Sequence, residues 1–389
     1  MKKDGFAAHR RWHATLAAVV IAWLVTAAAA NSAALDPNAL PVSQWVRVHT
    51  LTIGAITTAI VGYSAHFTAT LTRGPQPSYV QIGTEIAIIQ ASLVWFLFHP
   101  VWTGASSVIA TAVAVVIAWH VRTLSQMIRR AFTNHLAVTS WAYVVAGCLL
   151  VAAVSLAVWA QYADDHDAFI HAHSRAAVWG FAWTAVLGTS LTLLPTLAGG
   201  HVNVRARNRC PQALVVHGAA VAFTSVCLAA GQPRLAGALL LVSAASCASL
   251  MLPTFADVFR RLAPPNAPAL LLTCGMAWLY LCLVGDAASL VAGHLPPSLT
   301  VGITVALLGA GLAQTLLGAV SHLVPVLTGH PAAREHVARS SIVRIVLINA
   351  GGSAAIAGFP VAGGVAIAAG SLWHIARLGI SLQKASYKA

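Results

Sequence analysis

Three near-copies of one short unit, set at almost constant spacing, constrain this chain more than any other feature. Near the ends of three long apolar segments stand Gly62-Tyr63-Ser64-Ala65-His66, Gly188-Thr189-Ser190-Leu191-Thr192 and Gly318-Ala319-Val320-Ser321-His322, with glycines 126 and then 130 residues apart. The second and third copies share their continuation, Leu194-Pro195 through Gly199 against Val324-Pro325 through Gly329. Trp119-His120 and Trp373-His374 repeat at twice that period, 254 residues apart. A period of about a third of 389 residues implies three copies of one module, approximately 1–135, 136–265 and 266–389, within a single domain.

Composition says what kind of module. Charged residues make up 8% of the chain and apolar ones 58%, with a mean hydropathy of +0.79. So few charges cannot cover the surface of a soluble protein of this size. Twelve apolar stretches can span a bilayer, roughly 13–34, 46–71, 79–98, 101–121, 137–160, 172–198, 212–231, 234–252, 267–291, 298–328, 340–358 and 361–380. The expected fold is therefore all-α, a polytopic membrane protein of twelve transmembrane helices in three pseudo-repeated four-helix modules.

The net charge of +13 is distributed as a topology signal. Lys2, Lys3, Arg10 and Arg11, then Arg73, Arg122 with Arg129 and Arg130, Arg205 to Arg209, Arg260 with Arg261, Arg334, and Arg377 with Lys384 fall in every second loop or terminus. The intervening loops carry few cations, and one is acidic, Asp164-Asp165-His166-Asp167. The positive-inside rule places both termini in the cytoplasm of a bacterial inner membrane. Nucleic acid is not an expected partner, because the cations are never gathered on one face. The first apolar run, ending in Ala27 to Ala33, can also be read as a cleaved signal peptide, although the threefold period needs it as a helix. Six cysteines show no CxxC spacing, which leaves them as small packing residues.

The chemistry must lie in the ionisable groups. Seventeen histidines against nine acidic residues is an unusual ratio for a membrane chain, and imidazole within a bundle is costly unless paired, hydrated or metal-bound. Topology sorts the histidines into two layers. The outer layer holds His49, His171 and His173, with His99, His166 and His294 in its loops. The inner layer offers His66 and His322, at equivalent places in modules one and three, where Thr192 stands in module two. His49 and His66 lie about 25 Å apart on one helix, so they cannot serve one metal. His171 and His173 differ by about 200° around a regular helix, so one of them faces any given site. Arg175, one turn beyond His171, suits a haem propionate or an acidic relay. The alternatives are interfacial snorkelling for His171, His173 and Arg175, a glycine–histidine packing motif for His66 and His322, and an aromatic-belt role for His120 and His374. Glu85 and Asp286 lie within spans and are candidate proton-relay residues, with plain pairing to a histidine, a serine or Arg344 as the other reading. No phosphate loop, HExxH or Ser-His-Asp arrangement is present.

With histidines at the outer starts of helices 2 and 6 of twelve, the chain resembles the haem–copper oxidase subunit I superfamily and the NnrS-like membrane proteins. His49 occupies the place of a haem-ligating histidine. His171-Ala172-His173 through Trp179-Gly180 to Gly188 and Leu194-Pro195 is similar to the pattern of small oxidase-related proteins. The run from His49 through His66-Phe67 to Arg73 resembles the membrane segment that precedes copper nitrite-reductase-like domains in some actinobacterial proteins. The chain departs from the oxidases at the outer end of helix 10, where Thr300 to Val305 replaces a histidine pair, and in helix 7, which has only His217 near its inner end. The resemblance thus implies a scaffold with one haem or copper site near the outer face, His49 with His173 or His171 and His294 as a third ligand. The implied role is electron transfer or the handling of nitrogen oxides or copper, with a soluble or membrane-anchored redox partner docking at the acidic loop Asp164 to Asp167. The alternatives are a secondary transporter of a small solute or metal ion, and a cofactor-free membrane partner of a redox enzyme.

Overall fold

A computed structural model describes residues 3–33, 42–132, 136–261, 266–293, 297–338 and 341–386. Among them there is no strand; the chain is a bundle of helices. In chain order the long ones are α1 (Lys3–Ala33), α2 (Gln44–Thr72), α3 (Tyr79–Phe98), α4 (Gly104–Arg129), α5 (Ala137–Ala160), α6 (His166–Leu197), α7 (Val204–Ala229), α8 (Pro233–Arg261), α9 (Ala267–Ala292), α10 (Pro297–Leu327), α11 (Ser341–Ile356) and α12 (Pro360–Ser386), with one further short helix over Ala333–Ala338. Eleven contain stretches long and apolar enough to cross a membrane, which makes this a multi-pass membrane protein with the lipid bilayer as its environment.

Most helices run past the ends of their apolar stretches, α7 and α8 by eight and nine residues, and two further elements differ in ways that matter. The described part of α11 has 16 residues, about 24 Å of helix against a hydrocarbon core of about 30 Å. It stops where Gly358 takes a left-handed φ of 95° and Pro360 opens the next helix. Conversely α1 begins at Lys3 rather than near residue 13. Its basic first turns are helical, with Arg10 Nε–H donating to the Thr328 carbonyl on α10 at 2.8 Å.

The inner helices are α2, α6 and α10. Within their most apolar windows 72%, 78% and 61% of residues are buried, against 28% for α4 and α12, while α9, packed on both α6 and α10, also reaches 61%. The repeat glycines explain how each inner helix is seated. A Cβ on Gly318 would lie 2.8 Å from the backbone nitrogen of Leu272 on α9, and one on Gly188 would lie 2.3 Å from Ala142 Cβ on α5. One on Gly62 would meet the Leu16 side chain on α1 at 2.5 Å. In all three cases the glycine lets an inner helix approach the helix that precedes it, the use membrane bundles make of small residues.

Each inner helix also changes winding. Thr50–Thr57, Ala176–Trp183 and Ala306–Ala313 are π-helical, and each begins twelve residues before its glycine. Widening the turn frees the local carbonyls from regular i→i−4 pairing. Threonine hydroxyls five residues on take some of them: Thr57 donates to Thr52 O at 2.8 Å and Thr184 to Trp179 O at 3.3 Å. A fully buried polar residue follows every π segment, namely Thr58, Thr184 and Gln314.

Candidate metal centre

At the end of the bundle away from the arginine-rich loops, the histidines of α2 and α6 come together. His49 Nδ1–H donates to the Trp45 carbonyl at 2.8 Å, and its ring stacks on Trp45 with centroids 4.3 Å apart. His173 Nδ1–H donates across to the Ala153 carbonyl of α5 at 2.8 Å. A carbonyl can only accept, so each Nδ1 carries the proton and each neutral ring keeps its lone pair on Nε2. The two rings lie 6.4 Å apart, centre to centre, with planes 20° apart. Two metal–imidazole bonds of about 2.0 Å account for about 4 Å of such a distance, and the two half-rings for most of the rest. Backbone carbonyls that fix the tautomer and orientation of ligand histidines are a usual outer shell of metal sites.

The neighbouring residues take other roles. The helix is already regular at His171, since it starts at His166 under an Asp165 cap that accepts from Ala168 N–H at 3.0 Å. His171 therefore points away from His173; it is exposed, and its Nδ1 accepts from Arg175 at 3.1 Å. Arg175 turns its guanidinium fork onto Asp286 of α9, at 2.7 Å to Oδ1 and 3.2 Å to Oδ2, and Trp179 Nε1–H donates to the same carboxylate at 2.7 Å. The partner of Asp286 is thus an arginine rather than a histidine, and the fork that would suit a haem propionate is filled. His294 lies outside the described residues.

Toward the arginine-rich end, the buried ionisable groups form three junctions. Fully buried Glu85 of α3 accepts from His120 Nδ1–H of α4 at 2.7 Å and from Gln81 Nε2 at 2.8 Å, while His120 Nε2 meets Ser64 Oγ of α2 at 2.9 Å. In α12, His374 Nδ1 accepts from Arg344 Nε–H of α11 at 3.3 Å, and Nε2–H donates to Ser321 Oγ of α10 at 2.7 Å. In α7, His217 joins Thr184 of α6 (2.8 Å) to Ser243 of α8 (2.7 Å). The aromatic-belt reading of His120 and His374 fails here: Trp119 and Trp373 face outward, and the histidines beside them turn into the core.

His66 and His322 are not ring neighbours. His66 instead meets two histidines of α1, with ring centroids 4.9 Å from His13 and 5.6 Å from His9, which are themselves 4.5 Å apart. One ligand atom from each of the three lies within 4.8 Å of the others. Sequence reasoning missed His9 and His13 because they lie before and at the very start of the first apolar run, beside Arg10 and Arg11. Their i,i+4 spacing, which puts two imidazoles on one helical face, was the available signal.

No protein-family model matches the chain, and no curated protein matches it.

Proposed function

We propose that this is a metal-binding multi-pass protein of a bacterial inner membrane, with both termini cytoplasmic and twelve helices in three related groups of four. In this reading His49 and His173 hold one haem iron or copper ion between α2 and α6, for electron transfer or for handling nitrogen oxides or copper. One observation carries it: both Nδ1–H groups are committed to backbone carbonyls, which leaves the Nε2 lone pairs of two neighbouring rings, 6.4 Å apart centre to centre, for a ligand. The donor set fits such an ion, since imidazole suits iron and copper alike. A bound metal would supply one-electron chemistry. The protein's own part is to fix the two tautomers, to stack Trp45 over His49 and to hold α6 against α9 through Arg175 and Asp286. That ion pair favours a bare copper ion over haem, because it occupies the arginine that a propionate would need. A kinship with oxidase subunit I and NnrS-like proteins would rest on the helix pattern, on His49 and on the segment from His171 and His173 to Leu194-Pro195.

The test is metal analysis and a reduced-minus-oxidised absorbance spectrum of the detergent-purified protein. One equivalent of copper, or sharp haem bands, lost in both His49→Ala and His173→Ala is expected. Copper and haem both absent, or retained in those variants, would overturn the assignment and return the chain to a transporter or a cofactor-free partner.

A further inference from the structure

We infer that His9, His13 and His66 form a second, independent metal site, for one zinc-class divalent ion, tying α1 to α2 at the arginine-rich end. The argument begins with an anomaly of satisfaction. Of the fully buried histidines, His120, His217 and His374 each have both ring nitrogens hydrogen-bonded. His13 is 0% exposed, and both its Nδ1 and its Nε2 are buried without a hydrogen-bond partner. The Nδ1 of His66 and the hydroxyl of Tyr63, whose ring lies parallel to that of His13 at 5.9 Å, are unpartnered as well. Leaving an imidazole dry and unpaired is costly, and the same bundle satisfies both nitrogens of three other buried histidines.

A cation in the cluster would explain it. The three rings converge from two helices, with donor atoms no more than 4.8 Å apart. A tetrahedral ion with metal–nitrogen bonds of about 2.0–2.1 Å would draw these atoms to about 3.4 Å, a movement within reach of side-chain rotation. The first shell has support behind it: Nδ1 of His9 is hydrogen-bonded to the Tyr79 hydroxyl on α3 at 2.5 Å, which leaves Nε2 of His9 for the ion. The neighbouring cation in sequence, Arg10, is engaged elsewhere, its Nε–H donating to the Thr328 carbonyl. Three neutral nitrogens without a thiolate or carboxylate select a first-row ion over calcium or magnesium. This site stands apart from the His49–His173 pair, at the other end of α2.

The test uses the full chain in detergent, stripped with chelator and titrated with Zn²⁺ against a chromophoric zinc indicator, with Co²⁺ as a spectroscopic probe. Stoichiometric zinc and a tetrahedral cobalt absorption are expected, and His9→Ala and His66→Ala should each weaken binding by about 100-fold or more. His13→Ala should do the same; if that variant fails to fold, the other two still decide. His49→Ala and His173→Ala should leave this binding unchanged, so failure of the outer site and failure of this one can be told apart. No zinc bound, or zinc bound equally well by His9→Ala and His66→Ala, would overturn the inference.

Discussion

The junctions around His120 and His374 have the same layout and opposite charge. Each places a histidine of an outer helix between a serine of an inner helix, Ser64 or Ser321, and an ionisable residue of the helix between, Glu85 or Arg344. At the first junction imidazole donates to a carboxylate; at the other it accepts from a guanidinium. Imidazole can do both, because its two nitrogens exchange donor and acceptor roles with the tautomer. What the helices share is thus the position of a bridging ring, while the charge it faces is free to invert. The middle group moves the same device to another helix: His217 sits on α7, and a serine, Ser243, takes the far side.

Removing each histidine would sharpen this comparison most. His120→Leu strands the Glu85 carboxylate with Gln81 as its remaining partner and should cost about 3–5 kcal/mol, the usual penalty for an uncompensated buried charge. His374→Leu should cost less, about 1–3 kcal/mol, because Arg344 still donates to the Val337 carbonyl. Thermal unfolding of the purified variants in detergent would read the difference, and equal losses would break the claim that charge distinguishes the two junctions. Replacing both Glu85 and His120 by leucine should recover most of the larger loss, since a well-packed apolar pair can substitute for a buried ion pair.

The seating glycines give the next effect. Gly318→Ala should cost the most, within about 1–3 kcal/mol, because the new methyl meets backbone of α9 that cannot turn aside. Gly188→Ala, facing Ala142 Cβ and the Thr139 carbonyl, should follow, and Gly62→Ala should be mildest, because the Leu16 side chain can change rotamer. The reverse order in Tm would show that these contacts do not set the packing. Smallest of all, Ser64→Ala and Ser321→Ala should each lose about 1 kcal/mol and by similar amounts, since both hydroxyls bond the same imidazole nitrogen.

Much of this was legible in the sequence, and for identifiable reasons. The apolar stretches foretold an all-helical, multi-pass chain, and eleven of the twelve correspond to helices long and apolar enough to cross a membrane, the described part of α11 being shorter. Spacing of the Gly62, Gly188 and Gly318 units marked three related segments, but nothing in it said that these would be the inner helices. Glu85 and Asp286 stood out because a carboxylate in an apolar run needs a partner, but nothing in the pattern named His120 or Arg175 as those partners. The π segments were invisible, since Thr50–Thr57 and Ala306–Ala313 have little composition in common. His9 and His13 were passed over among the basic residues that served as the topology signal at the start of the first span.

The sequence by itself determined that this chain is helical, apolar and repetitive, because hydropathy and spacing act locally and along one dimension. It also showed the excess of histidine, 17 against nine acidic residues, that the bundle has to accommodate. Only the tertiary structure decided which histidines share an environment. It set His49 against His173 and His66 against His9 and His13, separated His66 from His322, and turned His171 toward Arg175. Those choices depend on helix rotation and on close approaches permitted by single glycines, and a turn of about 100° per residue moves a ring from one neighbour to another without altering the apolar pattern that defines the span.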